Sequence, residues 1–137
     1  MSWTYALKNP HGIRTLYQGS PPPLNRVLVH EVALNQDGPT LRLRIDLSRY
    51  PAQPPQKWVA QGFNTVQVEI TFGGVRTITL EGFGTNSVAD ISLDKNNGIN
   101  IIAASPEIRL SANAEFAFIS QLRAYANDSP RSLMSRR

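Results

Sequence analysis

The sequence predicts a mostly β protein, an antiparallel β-sandwich or open barrel of about eight strands with a short N-terminal helix. Three observations carry that expectation. From Arg26 onward, apolar and polar residues alternate with a period of two. Turn-forming clusters interrupt the alternation every ten residues or so, the spacing of short strands in sandwiches and barrels. A clear helical pattern occurs once, ahead of Ser20-Pro21-Pro22-Pro23.

The helix is expected near residues 10–17. Asn9 is a suitable N-cap, Pro10 suits the first helical position, and Ile13, Leu16 and Tyr17 form an apolar stripe. Gly19 can end it. Three consecutive prolines then fit neither a helix nor a central strand and read as a stiff surface connector.

The first strand carries Leu28, His30, Val32 and Leu34 on one face and Val27, Val29, Glu31 and Ala33 on the other. Gln36-Asp37-Gly38-Pro39 is a turn. The second strand buries Leu41, Leu43, Ile45 and Leu47 and turns Arg42, Arg44 and Asp46 to water, so the two should form a hairpin. Tyr50 to Gln61 reads as a long loop whose three prolines break the pattern and whose Trp58 docks on a core edge. Val66, Val68, Ile70 and Phe72 resume the buried face, with Gln67, Glu69 and Thr71 outside. Gly73-Gly74 is expected to close a hairpin onto Val75–Glu81. Residues 88–93, 99–104 and 107–112 continue a meander through turns at Asp94–Gly98 and Ser105-Pro106. Residues 115–125 fit a strand or a helix, and strand is favoured because it supplies a partner for an edge.

A chain of 137 residues fits one domain, here residues 1–127, followed by a flexible basic tail over 128–137. The net charge of +4 is shared between tail and body. The tail holds Arg131, Arg136 and Arg137 against Asp128, which leaves 11 bases and 9 acids in residues 1–127. So small an excess argues against nucleic acid as a partner. There is no cysteine. No secretory pattern opens the chain and no apolar run approaches a membrane span, so a soluble cytoplasmic protein without a membrane partner is expected.

Chemistry-bearing patterns are sparse. Only His11 and His30 could serve as imidazole bases or zinc ligands, and the first is expected in solvent, the second on a mainly apolar strand face. Asp46 and Glu69 could oppose each other as an acid pair, but Arg42 and Arg44 more simply neutralise Glu69 or Glu81 across the strands. Phe63, Phe72, Phe116 and Phe118 are expected mostly inside, and Trp3, Tyr5 and Tyr50 half exposed. Neither catalytic residues, a metal nor a cofactor is expected.

One resemblance adds to this reading. Asn9-Pro10, Ile13, Leu16-Tyr17, Pro22-Pro23-Leu24, His30-Glu31-Val32 and Asp37-Gly38-Pro39-Thr40 come in a familiar order. Tyr50-Pro51, Pro54-Pro55-x-Lys57-Trp58, Asn64-x-Val66-Gln67 and Phe72-x-Gly74-Val75 follow. Together they resemble the immunity protein 50 family of bacterial polymorphic-toxin systems. The resemblance implies a non-enzymatic protein that neutralises a cognate protein toxin by binding it; a monomer or weak homodimer is expected. It implies scaffold roles for Trp58, Pro55, Gly38 and Leu24. The expected contact surface is Arg42, Arg44, Asp46, Gln67 and Glu69, with the loops around Tyr50 and Asn96-Asn97. The alternative is a β-sandwich binding a carbohydrate or other small ligand, with Trp58 or Tyr50 as platform.

Overall fold

The computed structural model describes residues 2–82, 84–85 and 88–127. The expected tail over 128–137 lies outside them, as does Phe83. A 3₁₀ turn (Trp3–Ala6) and helix α1 (His11–Leu16) precede strands β1 (Val27–Asn35) and β2 (Thr40–Asp46). Helix α2 (Gln56–Ala60) leads to β3 (Thr65–Gly73), β4 (Thr77–Glu81), β5 (Val88–Lys95), β6 (Ile99–Ala104), β7 (Arg109–Ala114) and β8 (Phe116–Tyr125). The mostly β, eight-stranded expectation is met.

The strands form one antiparallel sheet, ordered β4-β7-β6-β5-β1-β2-β3-β8 and not closed on itself. Among the described residues its halves join at β1 and β5 through the pairs Val27↔Ala89 and Leu28↔Val88. They also share a bend. β3 pairs with β8 as far as Gly73↔Phe116, and β4 pairs with β7 from Thr77↔Asn113. β3–β4 and β7–β8 therefore act as two long paired strands that pass a corner together, the device by which strands switch between packed sheets. Leu41, Ile45, Val68 and Phe72 from one half join Ile91, Ile101, Leu110 and Ala112 from the other in a single buried cluster. Trp3, Ile13, Tyr17 and Leu24 cap it.

Gly73-Gly74 thus does not close a hairpin. A two-residue hairpin of the common type needs positive φ at both central residues, and here only Gly74 has it, at +63°. Gly73 serves another purpose. A Cβ there would lie 2.2 Å from Cζ of Phe116, whose ring covers it. The expected turn at Asn97-Gly98 does have positive φ at both residues and joins β5 to β6.

Four further expectations are corrected. Asn9 does not cap α1, whose N-cap is Pro10. Its amide instead donates from Nδ2 to Ile119 O and accepts from Ile119 N through Oδ1, both at 2.8 Å, which covers part of the β8 edge. Trp3 is buried, not half exposed, because its indole Nε1 donates to Pro22 O at 2.9 Å under the proline connector. The loop around Trp58 contains α2, started where the Pro55 carbonyl accepts from Trp58 N and Val59 N. Trp58 is half-buried there, its ring 6.3 Å from that of Tyr50. Finally, β1 and β8 do not alternate throughout. Register shifts opposite Ile45/Arg44 in β2 and Glu69/Ile70 in β3 leave His30 and Ser120 as extra residues. Each insertion swaps the faces beyond it. Phe116 and Phe118 therefore lie on the outer face, opposite to the inward placement expected of them.

Candidate partner-binding face

Cross-strand partners point to the same side of a sheet, so the registers fix what the outer face of β1-β2-β3-β8 carries. Four rows cross it: Leu28–Asp46–Gln67–Arg123, Glu31–Arg44–Glu69–Gln121, Ala33–Arg42–Thr71–Phe118 and Asn35–Thr40–Gly73–Phe116. The five strand residues expected to contact a partner, Arg42, Arg44, Asp46, Gln67 and Glu69, thus come together on β2 and β3. Their exposure differs sharply.

Asp46 was expected in water and is fully buried. Its Oδ1 accepts from Gln67 Nε2 at 3.1 Å, and its Oδ2 accepts from Tyr125 Oη at 2.5 Å. His30 Nε2 lies 2.7 Å from the same Oδ2. A carboxylate only accepts, so Nε2 carries the hydrogen. Gln67, itself buried, accepts at Oε1 from Arg123 Nε at 3.1 Å and from a terminal guanidinium nitrogen at 2.7 Å. Asn127 N donates to Asn64 Oδ1 at 2.9 Å and brings the chain past Tyr125 over this end of the sheet. His30 is the extra residue of the β1 bulge, and its imidazole lies on the outer face against Asp46.

Glu69 is half-buried and accepts from Ser120 Oγ at 2.7 Å. Arg44 Nε approaches Glu31 Oε1 only to 3.9 Å. Arg42 is exposed and its guanidinium makes no hydrogen bond or ion pair among the described residues. Asp46 and Glu69 therefore do not form an acid pair, as each carboxylate is held by its own donors. At the far end Phe116 and Phe118 stack at 6.2 Å, with Lys8 Nζ 4.6 Å over the Phe116 ring.

Tyr50, Asn96 and Asn97 sit elsewhere. The Tyr50 hydroxyl is buried against Trp58 with no hydrogen-bond partner among the described residues, and burial raises its pKa. Nearby, the Tyr17 hydroxyl donates to Arg49 O at 2.6 Å, and burial raises its pKa further still, against an opposing pull from Arg49. Asn96 and Asn97 form the β5–β6 turn in the other half of the sheet, where Asn97 O accepts from Arg76 at 3.0 Å. Leu24 is buried and its carbonyl accepts from Ile91 N, while Gly38 takes a φ of +97° in the β1–β2 turn.

His30, Ser120, Arg123, Tyr125 and the phenylalanine pair were missed as members of this face. The two bulges hide them from a period-two reading, and the strand-or-helix ambiguity of residues 115–125 concealed which side each would take.

The arrangement is a mostly β scaffold that displays charged and aromatic side chains on a sheet face in fixed register. Residues 9–125 match the family described as Immunity protein 50, and the chain belongs to that family. No curated protein and no solved structure matches it. Among the described residues no helix is long and apolar enough to cross a membrane.

Proposed function

We propose that this chain is a cytoplasmic bacterial immunity protein that binds a cognate polymorphic toxin and neutralises it by protein–protein contact, without catalysis. The observation that carries the proposal is the family match over residues 9–125. The outer face of β1-β2-β3-β8 supports it as the contact surface. A four-stranded face in fixed register needs no reorganisation on binding, which lowers the entropic cost of association. Arg42, Arg44 and Glu69 are its contact residues from the expected row, whereas Asp46 and Gln67 organise it from beneath.

The test is co-expression with the product of the adjacent gene. Restored growth together with co-elution of the two proteins on a sizing column is expected. A toxic neighbour that is neither neutralised nor bound would refute the proposal.

A further inference from the structure

We infer that the toxin docks through an acidic, apolar-tipped segment seated on the Arg42–Phe116–Phe118 end of the outer face. This rests on the immunity reading above and names the chemistry of the partner.

The accessible charge on the face is mostly positive. It carries four cations (Lys8, Arg42, Arg44 and Arg123) against three carboxylates (Glu31, Asp46 and Glu69). Of the carboxylates, Asp46 is sealed in and saturated with donors. Glu69 is occupied by Ser120, which leaves Glu31, loosely paired with Arg44, as the open carboxylate of the face. The cations are less committed. Arg123 rests on the neutral amide oxygen of Gln67, so its charge is not cancelled there. Arg42 is exposed, its guanidinium without a hydrogen bond or ion pair among the described residues. A partner carboxylate brought to Arg42 would gain attraction without breaking an existing pair.

Apolar surface lies in the same row. Phe118 opposes Thr71, which opposes Arg42. Phe116 and Phe118 remain half-buried and are held before any partner arrives, stacked on each other with Phe116 seated over Gly73. Rigid aromatics beside an arginine are the composition of binding hot spots. The outer face of the other half is the more acidic, with Glu81, Asp90 and Asp94 against Arg109 and Arg76, the latter held by Asn113 and the Asn97 carbonyl, around the exposed Ile102. An acidic segment is therefore favoured on the first face over the second.

The experiment measures affinity of the purified neighbouring-gene product for the full chain and three variants, each confirmed folded by its thermal transition. Arg42→Glu is expected to weaken binding at least about tenfold, and Phe118→Ala about thirtyfold. Ile102→Glu, on the opposite face, should leave it unchanged. Raising salt from about 0.05 to about 0.5 M should weaken the wild-type complex about tenfold and the Arg42→Glu complex much less. A complex that ignores Arg42→Glu and Phe118→Ala, or tightens on charge reversal, overturns the inference while leaving the immunity reading intact. Absence of any complex with a toxic neighbour removes both.

Discussion

Replacing Asp46 with alanine tests whether the outer face is held together by a buried carboxylate. The side chain is fully buried and accepts from Gln67, Tyr125 and His30. Hydrogen bonds to a charged group contribute about 1.5–3 kcal/mol each, but removing the charge also relieves its desolvation cost. Tyr125 and His30 are partly exposed and can turn to water. Gln67 is not, so its amide loses a partner inside the protein. The net cost should be about 2–4 kcal/mol, or a fall in Tm of roughly 6–12 °C for a chain of this size. Asp46→Asn keeps the shape and one acceptor and should cost about half as much. Urea unfolding followed by tryptophan fluorescence measures both, with an unchanged m value expected. A cost below about 0.5 kcal/mol for Asp46→Ala would refute the buried network, since that is the range of ordinary surface substitutions. Loss of toxin binding at unchanged stability would instead make Asp46 a direct contact.

Gly73→Ala should destabilise by about 1–2 kcal/mol, because the new methyl meets the Phe116 ring, and adding Phe116→Ala should recover most of that loss in a double-mutant cycle. Asn9→Ala removes two backbone-directed bonds at the β8 edge. It should cost about 1 kcal/mol and speed hydrogen exchange at the Ile119 amide. Trp58→Ala should cost about 2 kcal/mol, less than the 3 or more kcal/mol of a fully buried aromatic, because part of the side chain is already exposed; equilibrium unfolding distinguishes the two values. Tyr17 has a raised pKa in the folded protein. The unfolded chain therefore releases its proton first, near pH 10, so stability is fully present below that pH and falls above it by up to about 1.4 kcal/mol per pH unit. Tyr17→Phe should flatten that alkaline limb in unfolding curves taken between pH 9 and about 11.

Much of the fold is legible in the sequence because a half-buried strand must alternate. Leu41, Leu43 and Ile45 against Arg42 and Arg44 allow no other placement, and the same holds for Val66, Val68, Ile70 and Phe72. Asp37-Gly38 and Asn97-Gly98 locate two reversals because they supply the positive φ those turns use. Alternation cannot reveal a single extra residue, however. Leu28, His30, Val32 and Leu34 read as one face until the register shift beside His30 is known, and Phe118 is misplaced for the same reason at Ser120. Gly73-Gly74 misleads differently. Paired glycines suit a hairpin, and only the pairing of β4 with β7 and of β3 with β8 shows that the chain turns a corner instead.

Asp46 exposes a limit of another kind, and it bears directly on how the protein binds. Parity along β2 assigns it correctly to the outer face, beside Gln67. Parity says nothing about what covers a face. Here the cover comes from distant chain: the His30 bulge in β1, Tyr125 at the end of β8, and Asn127 tied back to Asn64. The result divides one face into two ends with different physics. Around Asp46 the polar groups satisfy one another, and a partner gains little by competing for them. Around Arg42 and Phe118 the cation is unspent and the aromatic surface half open. A network that fixes four strands in register at one end thereby leaves the other end rigid, charged and available, which is the condition under which a small sheet can bind a partner tightly without reshaping itself.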